Sequence, residues 1–165
     1  YGLDFGYSVD PAACVALYLN GDDLWIDEVL YDTEMTNQDL ARSLNVLLEP
    51  GPRVYADSAE PKSIEELRRA GIDIDGATKG PDSVNYGIDW LQSRALHVTE
   101  RSANLIGELD SYCWKQDRDG LATRKPLDDF NHAIDAMRYG CAEWMDVYRG
   151  ELADYSSDVL GYLGL

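Results

Sequence analysis

The sequence predicts an α/β fold: one mixed sheet, a three-strand antiparallel meander followed by parallel strands, with helices on both faces. Three observations predict it. Residues 1–30 read as three strands with a tight turn before the third. After Pro50-Gly51-Pro52 the pattern changes to alternating strands and helices, the signature of a sheet covered by its crossovers. The 165 residues, 45% of them hydrophobic, suffice for one domain with a sizeable core.

The first strand spans Tyr1–Tyr7, where Leu3 and Phe5 alternate with Gly2, Asp4 and Gly6. Asp is depleted in strands, so Asp4 calls for a reason. Gly2 and Gly6 on either side of it would let a substrate backbone approach. The second strand is Ala13–Leu19 and the third Leu24–Leu30. The Asn20-Gly21-Asp22-Asp23 turn between them makes the two antiparallel. Thr36 then caps a helix running to about Leu48, with Leu40, Leu44, Leu47 and Leu48 on one face. Pro50-Gly51-Pro52 ends it.

The fourth strand is Arg53–Asp57. A helix follows over Pro61–Ala70, with Pro in its first turn and Gly71 past its end. Next come a strand at Ile72–Thr78, a helix at Asp82–Ser93, a short strand at Leu96–Thr99 and a helix at Ala103–Tyr112. The polar stretch Gln116–Lys125 predicts a second hairpin around Asp119-Gly120. A long helix covers Asp128–Tyr148, its apolar stripe formed by Phe130, Ala133, Ile134, Met137 and Cys141. Residues 1–149 form the expected domain, and 150–165 an acidic, loosely held tail.

No apolar run approaches the roughly 20 residues of a membrane span, and no signal peptide precedes the first strand. A strand beginning at residue 2 suggests a domain cut from a longer protein. Cys14, Cys113 and Cys141 form no CxxC pair and are expected as small core hydrophobes in a reducing compartment.

Charge is the awkward property. Fourteen Lys and Arg against 31 Asp and Glu give −17, which repels a polyanion. Nucleic acid becomes a plausible partner only if the acids cluster to hold divalent cations. Three carboxylates sit where apolar elements end or turn inward: Asp4, Asp57 after Val54-Tyr55-Ala56, and Asp135 within the last helix. If the first and fourth strands are neighbours, Asp4 and Asp57 stand side by side, and a helix packed across them brings Asp135. Three ionised carboxylates in one space require cations, and hard oxygen ligands suit Mg²⁺ or Mn²⁺. Two such ions can activate a water and stabilise a leaving phosphodiester oxygen. His132 lies three residues before Asp135, on the same helix face. Taken singly, each of these has a plainer reading: Asp57 as a turn or cap residue, His132 as a surface histidine. Asp10 has no assigned role, and Asp128 and Asp129 suit either a helix cap or a ligand set.

The chain resembles the nuclease domain of the large terminase subunit of tailed bacteriophages. The stretches that carry the resemblance are GLDFGYSVDPAA, VYADSAEPKSIEELRRAGI, TKGPDSVNYGIDWLQS, ELDSYCW and KPLDDFNHAIDAMRYG, in order across Gly2–Glu143. The resemblance implies a ribonuclease H-like fold and a two-metal endonuclease that cuts concatemeric double-stranded DNA during genome packaging. It implies Asp4, Asp57 and Asp135 as catalytic metal-binding acids, with His132 a fourth member. It implies two Mg²⁺ or Mn²⁺ ions and an ATPase motor domain in the same full-length protein. Portal protein and small terminase subunit follow as partners, and the infected host's cytoplasm as location, with no membrane. No GxxxxGK[ST] occurs here, so basic DNA-holding surface is expected partly on the missing motor. Local candidates are Lys79, Arg124 and Lys125.

Other readings start from the same residues. Actin-like and sugar-kinase ATPases use a comparable GLDFG strand, but they need a second phosphate loop, for which this chain has no space. A resolvase or transposase core would keep the acids without SAEPKSIEEL and NHAIDAMRY. A non-catalytic acidic interaction module would ignore Mn²⁺.

Overall fold

Strand β1 (Gly2–Asp4) sits inside a six-stranded sheet in the computed structural model, which describes residues 1–127 and 130–145. The sheet also holds β2 (Ala12–Asn20), β3 (Asp23–Asp32), β4 (Val54–Ala56), β5 (Ile74–Gly76) and β6 (Ala95–Val98), in the order β5-β4-β1-β2-β3-β6. β1 pairs antiparallel with β2 and β2 with β3, while β1–β4, β4–β5 and β3–β6 are parallel. The expected meander and mixed sheet are therefore present. Gly21, at φ +63°, closes the first hairpin. A separate hairpin of β7 (Trp114–Gln116) and β8 (Ala122–Pro126) turns at Gly120, φ +79°.

Alternation along the strands divides the core in two. Leu3, Ala12, Cys14 and Leu30 pack beneath α1 (Asn37–Leu47) and α2 (Pro61–Arg69). Ala13, Val15, Leu24 and Ile26 face α3 (Ser83–Gln92), α4 (Ala103–Ser111) and α5 (His132–Gly140). Helices cover both faces, as a sheet with two apolar sides demands. Thr36 caps α1 in a capping box with Asp39.

Several expectations are corrected. β1 is three residues long and ends at Asp4, because the chain turns away at Phe5 and Gly6. Neither glycine makes room for substrate. A Cβ on Gly2 would stand 1.8 Å from the Ala136 carbonyl oxygen, and one on Gly6 would meet the Asp10–Pro11 backbone at 2.3 Å. Helix α5 starts at His132, since Phe130 adopts φ +53°, outside the helical basin. That backbone turns Phe130 outward, 75% exposed, leaving Ala133, Ile134, Met137 and Cys141 as the buried stripe. Leu47 is exposed too, Ala41 taking its place in the core. Cys14 and Cys141 are buried but Cys113 is exposed. Asp128, Asp129, the end of the expected last helix and the 150–165 tail lie outside the described residues. No described helix is long and apolar enough to cross a membrane.

Candidate metal centre

Parallel pairing of β1 with β4 places Leu3 opposite Ala56, so the next residues, Asp4 and Asp57, emerge at the same edge of the sheet. Ligand sites of open α/β sheets form at such carboxyl ends. Helix α5 lies across this edge because Gly2 and Gly140 have no side chains. The Gly2 Cα would stand only 2.9 Å from a Cβ on Gly140. That contact brings His132 and Asp135, in the helix's first turn, to the strand ends.

His132 Nδ1 stands 3.1 Å from Asp4 Oδ2, and its Nε2 3.6 Å from Asp10 Oδ1. Asp4, Asp10, Tyr31, Asp32, His132 and Asp135 line one cleft of about 790 Å³. Burial raises the Asp4 pKa above the ordinary carboxylate value. The His132 hydrogen bond opposes this, and the negative charges of Asp135 and Asp57 push it further up. The Asp4 carboxylate in turn raises the His132 imidazole, against the effect of burial. Each group favours the charged form of the other.

The remaining two acids are held by cations of the chain itself. Asp57 accepts hydrogen bonds from the Ala59 N–H at 2.7 Å and the Tyr139 hydroxyl at 2.9 Å, and it pairs with Lys79. Burial would raise Asp57, but Lys79, Ala59 and Tyr139 together bring it below its ordinary value. Lys79 also lies over the Tyr139 ring, 4.9 Å from its centre. Asp135 accepts from the Arg138 guanidinium at 2.8 Å. Among the described residues, no three His, Cys, Asp or Glu side chains stand as a ready ligand set. Lys79 and Arg138 instead balance the charge of Asp57 and Asp135. Oxygen donors from Asp4, Asp57 and Asp135, with the His132 imidazole beside them, have the chemistry that suits Mg²⁺ or Mn²⁺.

Of the expected DNA contacts, Lys79 is thus at the site itself. Arg124 and Lys125 lie on strand β8 rather than in a loop, and Arg124 pairs with Asp89 of α3 at 3.2 Å. Sequence reasoning missed Tyr139 and Arg138, although their spacing from Asp135, four and three residues, places them on adjacent turns. It also missed Glu108, whose signal was an acid within the apolar stripe of α4.

A family model described as the terminase RNase H-like domain matches residues 4–143. The large terminase subunit of Bacillus phage SPP1 is 35% identical over 144 residues, covering 84% of this chain and 34% of that protein. The PBSX phage terminase large subunit of Bacillus subtilis is 29% identical over 146 residues, covering 87% and 34%. The chain thus spans about a third of the length of the curated relatives it matches. Among solved structures, the SPP1 large terminase nuclease domain with bound Mn is 34% identical with a TM-score of 0.77, over 85% of this chain and 82% of that one. The large terminase of a thermophilic bacteriophage, at 22% identity and TM-score 0.65, covers 84% and 37% and shares the fold. With its sheet order, its strand-end acids and these matches taken together, the chain belongs to the terminase RNase H-like domain family.

Proposed function

We propose that this domain is a metal-dependent endodeoxyribonuclease that cuts concatemeric double-stranded DNA during phage genome packaging. The observation that carries the reading is the convergence of Asp4, Asp57 and Asp135 from β1, β4 and α5 at one sheet edge. The similar SPP1 nuclease domain, solved with bound Mn, supports a divalent-cation requirement. Asp4, Asp57 and Asp135 would hold two Mg²⁺ or Mn²⁺ ions, with His132 a fourth member. Such a pair supplies an activated water and neutralises the leaving phosphodiester oxygen.

The chain's own groups do the positioning. Asp4, the most deeply set of the acids, is fixed by the His132 imidazole. Tyr139 and the Ala59 N–H orient Asp57, and Arg138 orients Asp135. Lys79 neutralises Asp57 in the structure, and were Asp57 to hold a metal ion, the Lys79 ammonium would be available to a DNA phosphate. Arg124 and Lys125 extend the candidate DNA track along β8. With −17 overall, the domain gains its remaining DNA affinity from the ATPase motor of the full-length protein. Portal protein and small terminase subunit complete the proposed assembly, in the host cytoplasm.

Thermal melting with and without millimolar Mn²⁺ tests the site. The unmutated domain should gain several degrees by mass action on the folded state, and Asp4→Asn should lose most of that gain together with plasmid nicking. No metal-dependent shift in the unmutated domain would sink the reading and favour the acidic interaction module.

A further inference from the structure

Helix α5 lacks a cap from its own chain neighbour: Asn131, at the N-cap position, makes no side-chain capping bond. Its third amide, Ile134 N–H, is instead taken by Glu108 Oε2 at 3.0 Å. Glu108 is 4% exposed and comes from α4. Its other oxygen, Oε1, accepts the Tyr31 hydroxyl of β3 at 2.9 Å. The same device recurs one step back. Ser102, at the N-cap of α4, makes no side-chain cap. Glu28 of β3 takes the Leu105 N–H at 2.8 Å and the Asn104 side-chain amide at 2.7 Å. Ser102, freed from capping, accepts the Glu28 N–H at 2.8 Å. Strand β3 therefore anchors α4, and α4 anchors α5.

We infer that Glu108 is a positioning residue for the metal centre: it fixes the first turn of α5, and with it the reach of His132 and Asp135. The inference rests on the proposed site. A helix start leaves unsatisfied amides that fray unless something accepts them. A buried carboxylate with both oxygens engaged is a stiff anchor, because losing either partner leaves a buried polar group unpaired. His132 is the first residue of α5 and Ile134 the third, so the amide Glu108 holds lies between His132 and Asp135. Fraying there would swing both side chains together. Glu108 touches none of the proposed ligand side chains: its hydrogen bonds go to the Ile134 amide and the Tyr31 hydroxyl, and its charge adds only a minor push on the His132 imidazole.

Two substitutions separate reach from charge. Glu108→Gln keeps the length: its amide oxygen can accept the Ile134 N–H, and its NH₂ can donate to the Tyr31 hydroxyl. Glu108→Asp keeps the charge but is one methylene short. Mn²⁺ affinity would be measured by calorimetry at a temperature where circular dichroism shows each variant folded, so that lowered stability alone leaves the readout unmoved. Glu108→Gln should stay within about twofold of the unmutated domain and Glu108→Asp should weaken binding about tenfold, the loss of one good hydrogen bond's worth of geometry. Asp affinity within twofold of native, or Gln as weak as Asp, overturns the role. Should Glu108→Asp fail to fold, Tyr31→Phe takes its place, and an unchanged affinity there overturns it equally. Asp4→Asn, run alongside, tells the two failures apart. If it binds Mn²⁺ normally, the site reading itself is wrong and Glu108 falls with it. If it binds none while the Glu108 and Tyr31 variants bind normally, only the positioning role is lost.

Discussion

Asp27 shows how much a single residue can be asked to explain. Its carboxylate takes the Arg101 guanidinium and the Thr99 hydroxyl, and that Arg101 contact holds its pKa below the ordinary value despite some burial. A depressed folded pKa contributes stability that is present above the unfolded value, near 4, and is lost as pH falls through the folded one. Asp27→Asn should therefore cost about 1 kcal/mol at neutral pH and almost nothing near pH 2, as read by denaturant melts at both. At the candidate metal centre, the structure offers Lys79 a second candidate role beside the DNA contact suggested by the sequence. Its pairing with Asp57 would make it a competitor for the proposed cation as well as the proposed DNA contact. Lys79→Ala should bind Mn²⁺ more tightly in the absence of DNA, by severalfold in calorimetry, yet nick plasmid more slowly. Equal or weaker Mn²⁺ binding would mean the ion pair does not restrain Asp57. The three acids could be singled out as candidates in the sequence because each sits within or at the end of an apolar element. Their partners were less legible: Tyr139 and Arg138 look like ordinary helix residues until their neighbours across the fold are known.

At the scale of elements, the hairpin at Asn20-Gly21, the capped helix α1 and the Pro-led α2 were all readable from local chemistry. Element ends were not. β1 reads as seven residues by alternation, but pairing with β2 and β4 stops at Asp4. α5 reads as starting near Asp128, but the left-handed backbone of Phe130 delays it to His132. Gly2 was given the wrong reason, since only the packing shows which backbone fills the space beside it. The seat of α5 on β1 is the contact that makes the site, and it has no slack. Gly2→Ala would press a methyl onto the Ala136 carbonyl, with only backbone available to move. Overpacking of this kind typically costs about 1–3 kcal/mol or more. The variant should melt lower in chelator and lose Mn²⁺ binding as α5 lifts. Gly107→Ala on the open side of α4, where a Cβ meets nothing within 4 Å, is the matched control and should do neither.

For the molecule as a whole, the net charge of −17 is a standing strain that local ion pairs relieve only in part. Pairs such as Arg53 with Asp73 and Asp75, or Arg69 with Glu65, are surface contacts of small individual worth. Long-range repulsion remains, and it is screened as the Debye length falls from ~30 Å at 0.01 M salt to ~8 Å at 0.15 M. The melting temperature in chelator should rise by a few degrees across that range of NaCl. A flat or falling curve would show that the paired cations already balance the field. Fold class was the most legible property of all, because two-sided burial of a mixed sheet is written into the alternation of β2 and β3.

The seating of α5 on β1 also has a meaning in time. Asp4 and His132 are 128 positions apart in the chain. At roughly 5–20 residues per second, a ribosome needs on the order of ten seconds to travel between them. Throughout that interval Asp4 is already made while the helix that completes its surroundings does not yet exist. Contacts so distant in sequence also carry a large loop-closure entropy that must be met before they help to hold the fold. If the domain cuts DNA as proposed, a half-made chain lacks the helix that would complete the site, and cutting would begin only once α5 has closed on β1.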